Sequence, residues 1–276
     1  MFLNRKLVKN HGIIRNAKKR KHYMIVNKQI PMKQDRSGET TSVLVHSIFP
    51  TIQGEGVFAG TPCVFLRLGG CNLQCPSCDT EYTQGSAYRK VKDIVDELEA
   101  KMPKNASLVV ITGGEPFRQQ IGALIARILS CSPTIKVQIE TNGTLFDETT
   151  YYDHPRLFIM CSPKTGKVND KLKPYITAYK YVGGANELVE CSYLSGRQQL
   201  EDHGLMPDGL PARALGHTAK PYLARPHEGF TGKVFLQPID RQNDELNLAH
   251  QMAVVKSCLD NGYTLCLQIH KIICVE

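Results

Sequence analysis

Three cysteines fall within eight positions in Gly70-Cys71-Asn72-Leu73-Gln74-Cys75-Pro76-Ser77-Cys78-Asp79-Thr80, a C-x3-C-x2-C run. Thiolates are the ordinary ligands of iron–sulfur clusters, and three at this spacing can wrap one face of a cubane and leave its fourth iron open. An open iron can bind a substrate or cofactor and pass it an electron directly. A structural zinc site is the competing reading. Such sites close with four ligands, however, and no C-x2-C or H-x3-H pair follows downstream. Cys63 could complete the set, but it sits inside a strand pattern, where cysteine behaves as a small buried hydrophobe.

Other chemistry-bearing residues stand where short apolar runs stop. Thr112-Gly113-Gly114-Glu115-Pro116 follows VVI, and Glu140-Thr141-Asn142-Gly143 follows KVQI. Ser162-Pro163-Lys164 follows LFIMC, Gln237-Pro238-Ile239-Asp240 follows KVFL, and His270-Lys271 follows TLCLQI. All five would lie at C-terminal strand ends, the face on which parallel α/β sheets and barrels build active sites. At Gly113-Gly114, missing side chains permit close backbone approach, and exposed carbonyls with the Glu115 carboxylate suit an ammonium group.

The elements that must hold these loops are visible as period. Apolar runs predict strands at about 43–49, 63–68, 107–111, 135–139, 157–161, 178–182, 233–237 and 264–269. Between them, 88–101 carries Val91, Ile94, Val95 and Leu98 on one helical face, and 118–130 does the same with Ile121, Leu124, Ile125 and Ile128. A third helix, 243–260, ends before Gly262. Strands alternating with helices predict right-handed crossovers and a parallel sheet, hence an α/β fold over 41–276. Residues 185–231, rich in Pro and Gly, predict a partly irregular insertion over one barrel face.

Charge is distributed unevenly over the 276 residues: the net charge is +8, yet residues 1–40 alone carry eleven Lys/Arg against Asp35 and Glu39. The remainder is close to neutral, so the basic character belongs to an expected flexible N-terminal arm, the only part expected to touch nucleic acid. No apolar run is long enough to span a bilayer, and the N-terminal residues lack the apolar core of a secretory signal. Ten cysteines, three of them clustered, therefore point to a reducing cytoplasm with a metal site.

The cysteine run followed by Gly113-Gly114-Glu115-Pro116 resembles the radical S-adenosylmethionine (SAM) superfamily. A longer ordered set narrows this: Phe49-Pro-Thr-Ile52-Gln53-Gly54-Glu55-Gly56, Gly60-Thr-Pro62, Phe65-x-Arg67-x-x-Gly70-Cys71, Cys78-Asp79-Thr80, Ser162-Pro163-Lys164, Gln237-Pro238 and Leu267-Gln-Ile-His270-Lys271. Over residues 44–276 it is similar to the 7-carboxy-7-deazaguanine synthase family. The resemblance implies a partial (β/α) barrel that converts 6-carboxy-5,6,7,8-tetrahydropterin into 7-carboxy-7-deazaguanine with loss of ammonia, in 7-deazapurine (queuosine-type) biosynthesis. It further implies a [4Fe-4S] cluster, SAM and Mg2+, an electron donor such as flavodoxin or ferredoxin, and a homodimer.

Residue roles follow from the same resemblance. Cys71, Cys75 and Cys78 would hold the cluster, and Thr80 would give Mg2+ a hard oxygen. Asp79, Gly114, Glu115, Thr141 and Asn142 would contact SAM, with Ser162, Pro163 and Lys164 and then Gln237, Pro238, Ile239 and Asp240 holding its ribose, carboxylate and adenine ends. Ile52, Gln53, Gly54, Glu55, Arg67, Thr112, His270 and Glu276 would form the pterin pocket, with Arg67 as a fork donor to the substrate carboxylate. Three features depart from the family pattern: Asn142 where relatives often carry Ser, the ending Cys274-Val275-Glu276, and the basic arm.

Two rivals are weaker. A radical SAM activating enzyme acting on a protein would commonly carry further ferredoxin-type cysteine sets, and the remaining cysteines here are scattered. A zinc-stabilised nucleic-acid-binding module leaves the strand-end motifs unexplained, in a chain with no Trp to stack bases. Anaerobic reconstitution separates them: the chain should turn brown with absorption near ~400 nm, as iron–sulfur ligation by thiolates requires. Cys75→Ala should lose both colour and turnover while remaining folded. Full colour and activity in that variant would reject the cluster assignment.

Overall fold

The computed structural model describes residues 29–37, 41–75, 78, 80, 82, 84–185, 187–189, 199–201, 204–214 and 222–275. In chain order the elements are β1 (Ser42–Ile52), β2 (Pro62–Leu68), β3 (Ala87–Lys90), α1 (Val91–Lys101), β4 (Leu108–Gly113), α2 (Gly122–Cys131), β5 (Lys136–Thr141), β6 (Leu157–Cys161) and β7 (Ile176–Gly183). They continue with β8 (Glu187–Val189), β9 (Gln199–Glu201), β10 (Lys233–Pro238), α3 (Asp244–Asn261), β11 (Thr264–Leu265) and α4 (Ile269–Ile272). Nine strands form one sheet in the order β11-β10-β7-β6-β5-β4-β2-β1-β3, whose two end strands do not pair. The result is an open, partial barrel. None of the described helices is long and apolar enough to cross a membrane.

From β2 through β11 every neighbouring pair is parallel. β1 runs antiparallel to both β2 and β3, which corrects the expectation of a uniformly parallel sheet. The reason is local: only a single 3-10 turn at Gly56–Phe58 separates β1 from β2, with no α-helix to carry a crossover, so the chain turns straight back. Residues 88–90, expected to open the first helix, instead belong to β3 on the edge of β1, and the helix starts at Val91, whose N–H reaches the Thr41 carbonyl at 2.9 Å. The strand expected over 264–269 stops at Leu265. After Cys266 donates to the Leu236 carbonyl (2.9 Å) the chain leaves the ladder, and Ile269 N–H reaches Gly54 O at 3.2 Å as α4 begins. His270 therefore sits on a short helix rather than on the last strand.

The sheet has two unlike faces. One is packed under α1, α2 and α3 by a continuous apolar core that includes Leu66, Leu68, Ile111, Leu124, Ile139, Ile159, Tyr179, Leu236 and Val254. The other is concave and holds only two small apolar groups, around Met160, Ala178, Phe235 and Cys266 and around Cys63, Leu108 and Val110. α3 is fixed at both ends, by Asn243 Oδ1 accepting from Leu246 N–H (3.0 Å) and by Gly262 in the left-handed conformation. The described parts of the 185–231 insertion pack on the helical side: Leu210 and Leu223 join the main core, and Ser257 Oγ donates to Gly209 O at 2.7 Å.

Much of the expected N-terminal arm lies outside the described residues, but 29–37 lies on the body. Met32 N–H donates to Cys71 O (2.8 Å), and Asp35 N–H donates to Arg118 O (2.7 Å).

The turn after β4 is where backbone meets backbone. Gly114 N–H donates to Leu68 O (3.0 Å) and Glu115 N–H to Gly70 O (2.9 Å). A Cβ on Gly114 would lie 1.8 Å from Gly70 O, an atom that cannot swing aside. Gly114→Ala should therefore destabilise the metal-free chain by about 1–3 kcal/mol through overpacking, lowering Tm by about 2–10 °C. Thermal unfolding checks this, and an unchanged Tm would show that the two backbones separate without cost.

Candidate active site

The loop bearing the three cysteines leaves the C-terminal end of β2, directly beside the turn that leaves β4. Burial pushes the Cys71 thiol up to about 12 and raises Cys75 as well, while the Lys164 cation pulls Cys75 back. Cys75 and Cys78 stand close enough to raise Cys71 further. Left to themselves such thiols stay protonated at neutral pH, and binding a metal centre is what would make them thiolates. Among the described residues no three His, Cys, Asp or Glu side chains are gathered for a single ion. Three cysteine thiols on one loop at the exit of β2 are the donor set that an iron–sulfur cluster takes.

Glu115 ties two strand ends together. Fully buried, its carboxylate accepts from Thr141 Oγ1 (2.7 Å), Asn142 N–H (2.7 Å) and Phe117 N–H (3.1 Å). Burial pushes its pKa up to about 7, against those three hydrogen bonds. With its oxygens so engaged, the groups this turn leaves to offer a ligand are chiefly backbone. Asn142 Nδ2 donates to Asn72 Oδ1 (3.0 Å) and its own Oδ1 accepts from Thr144, so the β5 exit also braces the cluster loop. One strand further, Ser162 N–H donates to Thr141 O (2.8 Å), Lys164 Nζ donates to Ser162 Oγ (2.7 Å), and Pro163 is buried between them. Beyond β10, Pro238 leads to Ile239, whose N–H meets Gly183 O at 3.1 Å; Gln237 and Ile239 are buried. Asp240 is exposed, and its carboxylate accepts from Gln242, Asn247 and Lys271. Together with the end of β7, where Gly183 meets Ile239, these strand ends form a shelf above β4, β5, β6, β7 and β10.

The concave face below the shelf carries polar side chains. Arg67 on β2 is in register with Thr112 on β4, so both project from one face. The Arg67 guanidinium lies 5.3 Å from the Phe49 ring, and its buried Nε has no hydrogen-bond partner among the described residues. Thr112 Oγ1 donates to Glu140 Oε2 (3.0 Å), while Gln53 Nε2 (3.0 Å) and Gln138 Nε2 (3.1 Å) both donate to Glu140 Oε1. Because β1 is antiparallel, Ile52 ends at the opposite rim, and the loop after it turns into the concavity. There Gln53 is buried, and Gly54 backs directly onto the His270 ring: a Cβ would fall 1.9 Å from its Nδ1.

Glu55 makes a buried ion pair with Lys180 of β7 and accepts from Gln268 Nε2 at 3.0 Å. Burial opposes both charges, but mutual attraction prevails. Glu55 is held below the usual carboxylate range with help from Gln268 and His270, and Lys180 is held above its ordinary value by Glu55 and Glu140.

The Radical SAM superfamily model matches residues 66–157, the stretch from β2 to the start of β6 that bears the cysteine loop and the glycine turn. The chain is 36% identical to the 7-carboxy-7-deazaguanine synthase of Rhodospirillum rubrum over 88% of its length and 97% of that protein. It is 37% identical to the synthase of the same name from Rickettsia prowazekii, over 89% and 94% respectively. The crystal structure of QueE from Escherichia coli matches the fold with a TM-score of 0.55 at 20% identity, covering 82% of this chain and 94% of that one. This chain belongs to the 7-carboxy-7-deazaguanine synthase family of radical SAM enzymes, a class that uses a [4Fe-4S] cluster and SAM.

Of the residues singled out in sequence, Asp79 and Glu276 lie outside the described residues, and Thr80 lies in the cluster loop, its carbonyl facing Cys78 Sγ at 3.7 Å. Gln138 and Lys180 were not singled out, and Glu140 and Gln268 stood only inside quoted motifs with no role assigned. Their signal was available: Gln138 and Glu140 sit two apart in an apolar strand, and Lys180 interrupts ITAYKYVG, which marks one face of each strand as polar.

Lys180→Met should cost about 3–5 kcal/mol by stranding the Glu55 charge, and adding Glu55→Gln should restore most of it. The pair's contribution is present at neutral pH. It fades in acid as pH falls through the depressed Glu55 value, and in alkali as pH rises through the raised Lys180 value. Urea unfolding of the two variants across pH measures this; equal loss in single and double variants would reject the pairing.

Proposed function

We propose that this chain converts 6-carboxy-5,6,7,8-tetrahydropterin into 7-carboxy-7-deazaguanine and ammonia, in 7-deazapurine biosynthesis of the queuosine type. The observation that carries the reading is the concave-face set of Arg67, Thr112, Glu140 and Gln53 beside the cluster loop, in a chain of this family. The substrate has one carboxylate and an edge of N–H donors and acceptors. Arg67, with a buried unpartnered Nε, is a fork donor for that carboxylate. Gln53, Glu55, Glu140 and Thr112 offer acceptors and donors to the pterin edge, with Ile52 and Gly54 shaping the loop that carries them and His270 closing it from α4. Glu276 would add a carboxylate from the chain end.

Cys71, Cys75 and Cys78 would hold the cluster. When bound, the cluster and SAM would supply one-electron radical chemistry. The protein orients and excludes water. The shelf formed by Gly114, Thr141, Asn142, Ser162, Lys164 and Gln237 to Asp240 would seat SAM over the pocket, and the fixed strand ends would limit the freedom of the bound reactants. Thr80, beside Asp79, would give a hard oxygen to Mg2+. An acidic redox protein such as flavodoxin or ferredoxin would supply the electron, and the cytoplasm is the expected compartment.

A homodimer is supported by α3, whose Leu248, Met252, Val255 and Leu259 are exposed at coiled-coil spacing beside the exposed Leu265 and Leu267 at the sheet edge. Nucleic-acid contact would fall to the basic N-terminal residues alone.

The test is an anaerobic assay of the reconstituted chain with SAM, dithionite and the pterin. Product and ammonia should form in equal amounts and fall on chelation of Mg2+, and Arg67→Lys should raise KM for the pterin about tenfold, the equivalent of ~1.4 kcal/mol. Reductive SAM cleavage with the pterin untouched would overturn the assignment in favour of a different substrate. In light scattering, Leu259→Lys should convert a dimer to a monomer, and a monomeric parent chain would reject the dimer.

A further inference from the structure

Arg118 is a buried cation that the pterin chemistry does not use. It follows the glycine turn, is only 3% exposed, and donates from Nη2 to Gly69 O at 3.2 Å. A Cβ on Gly70 would come within 2.8 Å of its Nε and 3.2 Å of its Cζ, so the guanidinium lies directly against the backbone that leads into Cys71. Its Nε has no hydrogen-bond partner among the described residues. Burial draws its pKa down, and the surrounding Tyr88, Asp35 and Cys71 oppose that. A guanidinium remains protonated in such a place.

The 29–37 segment clamps this arrangement from outside. Met32 N–H donates to the carbonyl of Cys71 itself (2.8 Å), and Asp35 N–H to the carbonyl of Arg118 (2.7 Å). The Gln34 amide donates to Phe117 O (2.9 Å) and Phe146 O (2.7 Å), bridging the arginine-bearing turn to the loop after β5. The Asp35 carboxylate is partly engaged by Ser37 N–H at 2.9 Å. A stretch that reads in sequence as the end of a loose arm thus grips both the cluster loop and the residue beneath it.

We propose that Arg118, clamped by residues 29–37, is a positioning residue for the cluster loop and holds a fixed positive charge against the group its cysteines bind, favouring that group's reduced form. The inference rests on the radical SAM reading of the site. Three thiolates on an oxidised cubane leave a net negative charge, and the one electron accepted from an external reductant adds another, with no bond made or broken in the protein. A nearby cation in a low-dielectric interior stabilises the more negative state.

The decisive measurement is a dithionite titration of the reconstituted full-length chain, followed by electron paramagnetic resonance. In Arg118→Gln the ratio of reduced to oxidised cluster at a fixed poise should fall about tenfold, a shift of about 59 mV for one electron. Arg118→Lys, which keeps the charge, should stay within about twofold of the parent. An unchanged midpoint in Arg118→Gln would overturn the charge role. Hydrogen exchange on the metal-free chain tests the clamp separately: Gln34→Leu, which removes both bridging bonds, should speed exchange in residues 69–75 about tenfold with Tm held. Unchanged exchange would overturn the clamp. A parent chain that takes up no cluster would instead overturn the radical SAM reading, and the exchange result would still decide the clamp.

Discussion

Two backbone hydrogen bonds, from Gly114 to Leu68 and from Glu115 to Gly70, join the exits of β4 and β2, and the site depends on them. They require a pair of residues without side chains, because the two main chains meet at a distance where even a methyl group would overlap backbone oxygen. Once the exits are joined, the cysteine loop has a fixed root. The Glu115 carboxylate then carries the constraint one strand further, to Thr141 and Asn142, and Asn142 returns it to the loop through Asn72. The glycine turn is thus part of the scaffold before it is a ligand contact.

The same sheet must be apolar on one side and polar on the other, and this sets the energetics of the pocket. Glu55 and Glu140 lie on a concave face from which water is largely excluded, and carboxylates there would be costly without nearby cations. Lys180 stands between them, and hydrogen bonds from Gln53, Thr112, Gln138 and Gln268 complete the arrangement. Arg67 retains unspent donor capacity. Balanced acids beside one unpartnered guanidinium nitrogen support the proposed substrate, which bears a carboxylate.

Eight of the nine strands of the main sheet were legible as apolar runs, and all of these but β1 run parallel as expected, because each βα crossover leaves both a strand period and a helix period. Reading failed where tertiary context decides. Residues 87–90 carry no apolar alternation and become β3 only because β1 offers an edge, and 264–269 is apolar enough for a strand but is drawn off the ladder by Gln268 reaching Glu55. The cysteine and glycine motifs were legible because their spacing is short. The roles of Glu140 and Lys180 were not, since each marks only a polar strand face and their meeting depends on how β5, β7 and the 53–55 loop converge.

The distribution of charge shows why the body behaves as it does. Nine Lys/Arg and no acid precede Gln29, so the whole basic excess lies ahead of the segment that packs on the cluster loop. From Gln29 onward the chain is nearly neutral, so its net charge does little to set the energy of an anion bound in the site. Such effects must come from individual buried cations placed at short range, where the low dielectric magnifies each one. Lys180 performs this for the carboxylates of the pocket and Lys164 faces Cys75, while Arg118 stands behind Cys71. Two of these three cations lie on strand-exit loops beside the cysteines, so the local electrostatics of the site are fixed by the same backbone contacts that fix its shape.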